Sequence, residues 1–381
     1  MASERLQRLT DQGVAVWVDS IARDWLQKGE LRRLRDQYCV VGVTSNPTIF
    51  QKAMGEGSFY DDDIARLARQ DLDAQSVFER LALDDIRGAA ADMEPVFERT
   101  GGLDGRVSFE VPPDIADDTD ATIAATKRLW DELARPNVFI KIPATAAGIP
   151  AIRASLGAGV NVNVTLIFSI ARYREVIDAY LGGLEDLAEA GGDLTQTASV
   201  ASFFVSRVDT MVDSELQALI DQGDPRAAAA RARLGTAAID NAKLAYEVFR
   251  QSVQGARFQT LARRGARVQR PLWASTSTKN PAYRDVRYVE ELIAANTVNT
   301  MPIETIEAFD DHGEVRGQTG TEDLDRAQRL WSDLAELGID EADIGWRLER
   351  EGVEKFAASY AGAVETIEAK RAALAGGTAG R

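Results

Sequence analysis

This chain is poor in the residues that most enzymes use for polar chemistry, and each scarcity removes a class of function. There is one cysteine in 381 residues, Cys39, so no intrachain disulfide can form. Its place in the apolar run YCVVGV (38–43) predicts a small buried hydrophobe rather than a nucleophile. There is also one histidine, His312, in the turn-like stretch DDHGE (310–314). Serine–histidine and cysteine–histidine catalysis are therefore excluded unless His312 itself is the base, as is any metal site built on two or more imidazoles. The setting of His312 predicts an exposed loop, and no metal is expected.

Long apolar runs are missing too. No stretch of about 18 apolar residues occurs, and MASERLQRLTDQG (1–13) has no apolar core of the signal-peptide kind, so a cytoplasmic protein without a membrane partner is expected. Positive charge is in deficit, with 44 Lys and Arg against 60 Asp and Glu and a net charge of −16. That balance repels nucleic acid and anionic headgroups, and no nucleic-acid partner is expected. Glycine-rich phosphate loops are absent. The nearest approach, Gly157-Ala-Gly159, lacks the third glycine and runs straight into an apolar segment, so it is an ordinary connection.

What is present is enough apolar material for a large core, 45% of residues, arranged as short Val-, Ile- and Phe-rich runs between longer helical patterns. Eight such runs occur, at 14–19, 40–44, 106–111, 138–143, 160–168, 199–205, 271–275 and 297–301. Helical patterns follow them, among them 119–133, 169–190 and 226–253. The pattern predicts an α/β fold, a single (β/α)₈ barrel over residues 1–375 with additional helices. A doubly wound open sheet would want an early glycine fingerprint that the chain does not have. A long helix over about 341–374 follows the last run, and its length would let it fold back over the barrel mouth; 376–381 are expected to form a disordered tail.

In such a barrel the active site lies at the C-terminal strand ends, so polar residues there need explaining. Asp19 ends the first run, Asn46 follows the second, Glu110 lies near the end of the third, and Lys141 sits among Ile140, Ile142 and Pro143 in the fourth. Asn163 and Thr165 share a face of the fifth by period-two spacing, as do Ser202 and Phe204 in the sixth. Singly, each has an ordinary explanation: a snorkelling lysine, an Asp helix cap, half of an ion pair, a packing phenylalanine. Asn163-Val-Thr165 also matches a glycosylation pattern, a coincidence inside a strand. Convergence favours chemistry. An amine must be neutral to attack a carbonyl, and desolvation among apolar neighbours favours the neutral form. The imine it forms is an electron sink for C–C cleavage, with Asp19 and Glu110 available to move protons.

These residues lie in VGVTSNPTIF (41–50), VSFEV (107–111), VFIKIPATAAGI (138–149), VNVNVTLIFS (160–169), ASFFVSRVD (201–209) and PLWASTSTKNP (271–281). In that order and spacing they resemble the transaldolase family. The resemblance implies a (β/α)₈ barrel, no metal or organic cofactor, and transfer of a dihydroxyacetone unit from a ketose phosphate (sedoheptulose 7-phosphate or fructose 6-phosphate) to an aldose phosphate (glyceraldehyde 3-phosphate or erythrose 4-phosphate) in the pentose phosphate pathway. By the same resemblance Lys141 matches the Schiff-base lysine and Asp19 the acid/base at the C4 hydroxyl. Glu110 and Thr165 match the pair that holds a catalytic water. Asn46 and Asn163 match ligands of substrate hydroxyls, Ser202 and Phe204 positions beside the enamine, and Arg207 and Ser275 phosphate ligands. Many members carry a second phosphate-binding arginine just after that serine. Here the chain reads Ser275-Thr276-Ser277-Thr278-Lys279, and Lys279 is the candidate replacement, without the bidentate fork. The alternatives are a Schiff-base aldolase of the fructose-6-phosphate type, which releases dihydroxyacetone, and a phosphosugar-binding barrel without chemistry. Either a monomer or a homodimer fits.

Overall fold

The computed structural model describes residues 3–70 and 72–378. Its centre is a closed barrel of eight parallel strands, each bonded to its neighbours in chain order: β1 (Val14–Val18), β2 (Val40–Thr44), β3 (Arg106–Glu110), β4 (Val138–Pro143), β5 (Val162–Ile167), β6 (Ser199–Phe204), β7 (Arg270–Ala274) and β8 (Thr297–Met301). Every expected run coincides with one strand, β7 beginning one residue ahead of its run. The apolar character follows from burial on both faces, by barrel interior on one side and by helices on the other.

The side chains that fill the interior alternate along each strand. Counting back from Lys141, Phe139 points inward and stacks on Trp17 from the opposite wall, ring centroids 6.1 Å apart. Space for the indole comes from Gly42, where a Cβ would lie 2.4 Å from Trp17 Cε2. Below this layer Arg106 is buried, donating to the carbonyls of Gly102 and Pro136 and stacking on Phe97 and Phe139. It fills the barrel interior toward the N-terminal strand ends.

Helix starts at those ends are capped in the expected way. Asn46 accepts from Ile49 N–H at the head of Pro47–Gly55, and Ser169 accepts from Arg172 N–H at the head of Ile170–Glu189. The pattern at 226–253 resolves differently. After β6 comes first the helix Ser206–Asp221, then Ala227–Arg233 and Ala237–Gln254, broken at Gly235 (φ 67°). Cys39 is half-buried at the edge of the core, in a left-handed conformation (φ 54°) ahead of β2, rather than inside it. His312 ends the helix Ile303–His312 instead of sitting in a loop, held by Asp285 and Asp311.

The C-terminal helix is one unbroken element, Glu341–Thr378. Residues 379–381 of the expected tail lie outside the described residues. Close approach to the barrel is possible because glycine faces it. A Cβ on Gly352 would lie 2.8 Å from Leu166 Cδ2 on β5. Leu166 itself is in a left-handed conformation (φ 59°) where the β5–β6 register shifts, an irregularity of the kind that re-aims side chains at active sites. The helix therefore crosses the mouth, with Leu348 and Phe356 buried beneath it.

Overpacking at the Trp17 layer is the direct test of this interior. Gly42→Ala should cost about 1–3 kcal/mol, read as a lowered urea midpoint. An unchanged midpoint would mean that the indole does not fill the space over residue 42.

Candidate active site

Register places the chemistry. Glu110 on β3 is the partner of Lys141 on β4, which in turn is the partner of Asn163 on β5. Lys141 is 4% exposed; its Nζ donates to the Ser45 carbonyl at 3.2 Å and lies 3.7 Å from Glu110 Oε2. The ring of Phe356, from the C-terminal helix, stands 5.8 Å from the same nitrogen. Burial pushes the Glu110 carboxyl up to about 7, against the opposing pull of Lys141. Its proton is thus exchangeable near neutral pH.

Asp19 follows β1, with its backbone N–H bonded to the Met301 carbonyl. Desolvation raises its pKa, countered by Lys141, then by the hydrogen bond from Thr44, then by Arg207 and Lys279. Thr44 Oγ1 donates to Asp19 Oδ1 at 2.6 Å, so its other contact, 2.6 Å to Thr300 Oγ1, is a bond that Thr44 accepts. This relay fixes the orientation of the carboxylate.

A polar belt runs under the pair. Asn163 donates to Ser108 Oγ at 3.0 Å and accepts from Ser202 Oγ at 2.7 Å. Both ends of its amide are engaged by protein, and it does not line the open cavity. Asn46 does, and since its Oδ1 is held by the helix cap, its amino group is the end available to a ligand. Glu110 Oε2 and Thr165 Oγ1 are buried without a protein hydrogen-bond partner, so both can bind a water or a substrate hydroxyl. Glu110 faces a smaller adjoining cavity, shared with Asn46 and Tyr360.

The main cavity, about 740 Å³, is walled by Asp19, Asn46, Lys141, Ser202, Phe204, Arg207, Ser275 and Lys279 among others. Arg207 lies in the first turn of Ser206–Asp221, its guanidinium 5.0 Å from the Phe204 ring, which packs in turn on Phe168. Ser275 is left-handed (φ 56°), and its hydroxyl meets that of Ser206 at 2.8 Å. A serine held in that strained region beside a helix N-terminus fits an anion site. Lys279 bonds to Ser277 Oγ at 2.6 Å and reaches the same cavity. His312 does not line it.

Several wall residues escaped the sequence. Thr44 lies inside the TSNP segment and Thr300 in β8, where strand-end position would have found them, and Ser45 beside Thr44 lines the smaller cavity. Leu348, Glu351, Lys355 and Phe356 come from the C-terminal helix. Nothing in their local pattern distinguishes them from other helix residues.

Residues 16–367 match the family model described as Transaldolase/Fructose-6-phosphate aldolase. The chain belongs to this family. Among similar proteins, a transaldolase of Mycolicibacterium paratuberculosis is 52% identical over 364 residues, 95% of this chain and 96% of the relative. One from Mycobacterium ulcerans is 50% identical over 378 residues, 98% and 100% of the two chains. Transaldolase 2 of Streptomyces avermitilis is 48% identical over 373 residues, 98% and 99%. The residues matched by the family model, 16–367, take in the end of β1, the seven other strands and most of the C-terminal helix.

The Glu110 carboxyl sets a pH signature. Its folded pKa of about 7 lies above the ordinary 4.5, so the folded state binds the extra proton and this contribution to stability is lost as pH rises from about 4.5 through 7. Glu110→Gln should therefore gain stability relative to the parent across that window and hold the gain above it, as read by thermal melts at pH 5 and pH 8. A difference independent of pH would place Glu110 in water.

Proposed function

We propose that this chain is a transaldolase, moving a dihydroxyacetone unit between sugar phosphates through a Schiff base on Lys141. The observation that carries the reading is a buried lysine paired with a carboxyl poised near 7, on neighbouring strands, opening into a cavity with a second carboxylate and a cationic far wall. In this mechanism the neutral Lys141 amine adds to the ketose carbonyl. Glu110 delivers the proton with which the carbinolamine oxygen leaves as water, which Glu110 and Thr165 then hold. Asp19 takes the proton of the C4 hydroxyl as the C3–C4 bond breaks. The electron pair flows into the imine, giving an enamine on Lys141, and the first aldose departs. The acceptor aldehyde adds by the reverse steps, with Asp19 returning the proton to the new hydroxyl. Asn46 and Ser202 bind substrate hydroxyls, and Asn163 holds Ser202 in place. Arg207, Ser275 and Lys279 bind the phosphate, the first by bidentate charged hydrogen bonds.

Phe204 bears on the choice between transferase and aldolase. The enamine must meet an aldehyde before a proton, and a benzene ring packed on Phe168 and Arg207 can neither donate a proton nor orient a water. The reading includes a cytoplasmic enzyme, monomeric or homodimeric, working without metal or organic cofactor.

Borohydride with fructose 6-phosphate should leave a reduced adduct on Lys141, located by peptide mass; a binding protein without chemistry would show none. Asp19→Asn should keep the adduct while turnover falls by about a hundredfold or more, the usual scale of a general acid–base contribution. Equal loss of both would remove Asp19 from the cleavage step.

The third test addresses Phe204. Phe204→Tyr should raise dihydroxyacetone release relative to transfer onto erythrose 4-phosphate, with Lys141 still trappable. An unchanged product ratio in a folded variant would make Phe204 a packing residue only.

A further inference from the structure

Among the described residues, four cationic side chains besides Lys141 line the main cavity: Arg207, Lys279, Arg347 and Lys355. They are not equivalent. Arg347 is neutralised by Glu215 and, at 3.1 Å, by Asp343. For the other three no carboxylate oxygen among the described residues lies within 4.0 Å. Two of them, Arg207 and Lys279, belong to the barrel, whereas Lys355 belongs to the C-terminal helix. Its neighbour Phe356 packs into the mouth, with its ring 5.9 Å from the Arg207 guanidinium and 5.8 Å from Lys141 Nζ. That anchoring presents Lys355 to the same cavity as the two barrel cations. The Lys279 ammonium is pushed toward its neutral form, first by burial and then by the fields of Lys355 and Arg207. Asp19 and Glu351 line the same cavity and attract these cations, but neither pairs with one directly, so the three like charges still repel one another, and a dianion among them turns that repulsion into attraction.

We propose that Lys355 is a phosphate ligand, so that the C-terminal helix supplies the third cation of a cradle whose other two, Arg207 and Lys279, stand on the barrel. The assignment rests on the sugar-phosphate reading above and extends it to a residue outside the barrel. The ligand is the phosphate of a sugar monoester, and free inorganic phosphate competes for the same place. A lysine contributes there as a compact point charge on a long stem, which suits a group reaching across from another element. Phosphate then bridges helix and barrel.

Calorimetry with inorganic phosphate, which needs no turnover, tests the cradle by itself. Lys355→Gln should weaken phosphate binding by about tenfold, the loss of one charged hydrogen bond, and Lys355→Arg should restore most of it. Arg347→Gln makes the same change of charge in the same cavity and should alter the affinity less than about twofold, since Arg347 is already neutralised. With fructose 6-phosphate the Lys355→Gln loss should appear in KM rather than in kcat. The proposal is overturned if Lys355→Gln binds phosphate like the parent, if Arg347→Gln weakens binding equally, or if the parent binds no phosphate at millimolar concentration. A parent that binds phosphate and loses it in Lys355→Gln, yet forms no Lys141 adduct, would leave the cradle standing and remove the transaldolase reading.

Discussion

An amine and a carboxyl buried side by side on adjacent strands govern this molecule. Lys141 and Glu110 are register partners across β3 and β4, with 3.7 Å between nitrogen and oxygen and almost no exposure. Desolvating such a pair costs several kcal/mol per ion, and the closed sheet prevents either strand from moving out to relieve it. The surroundings compensate with polar contacts placed where the ions need them. The Ser45 carbonyl takes one ammonium hydrogen, and the Ser108–Asn163–Ser202 belt gives the interior below the pair a satisfied polar layer. Beneath that, Trp17 on Phe139 and the buried Arg106 close the barrel to solvent. Keeping the Lys141 amine buried is thus a property of the whole barrel rather than of a few residues.

The two carboxyl groups show how placement divides labour. Both are raised by burial, but their partners differ. Glu110 faces the lysine along the sheet, and its Oε2, 3.7 Å from that nitrogen, keeps no protein hydrogen bond. Asp19 stands across the cavity, aimed by Thr44, which is aimed by Thr300. One stands beside the lysine nitrogen, the other on the wall of the main cavity.

The strands were readable because a parallel strand buried on both faces leaves an unbroken run of Val, Ile and Phe, and their polar ends stood out against it. Lys141 among three apolar neighbours is the clearest instance. Three things were harder to see. The break near Gly235 depends on one left-handed residue inside an otherwise continuous helical pattern. The double engagement of Asn163 depends on the rotamers of Ser202, on the next strand, and of Ser108, two strands away. The contributions of Lys355 and Phe356 depend on where a distant helix docks, and that is decided by close packing at Gly352 rather than by any local signal. Strand periodicity places residues on a wall, but it says nothing of what crosses the opening.

That crossing helix has a consequence for how the protein is made. All eight strands lie before Pro302, so a nascent chain can close its barrel while the segment that walls the mouth is still within the ribosome. During that interval Lys141 already has its strand neighbours, but not Phe356 over it. The pocket is therefore completed only by a segment made after the barrel, and a ribosome that stalls between the two leaves strands without the wall that Leu348, Glu351, Lys355 and Phe356 supply.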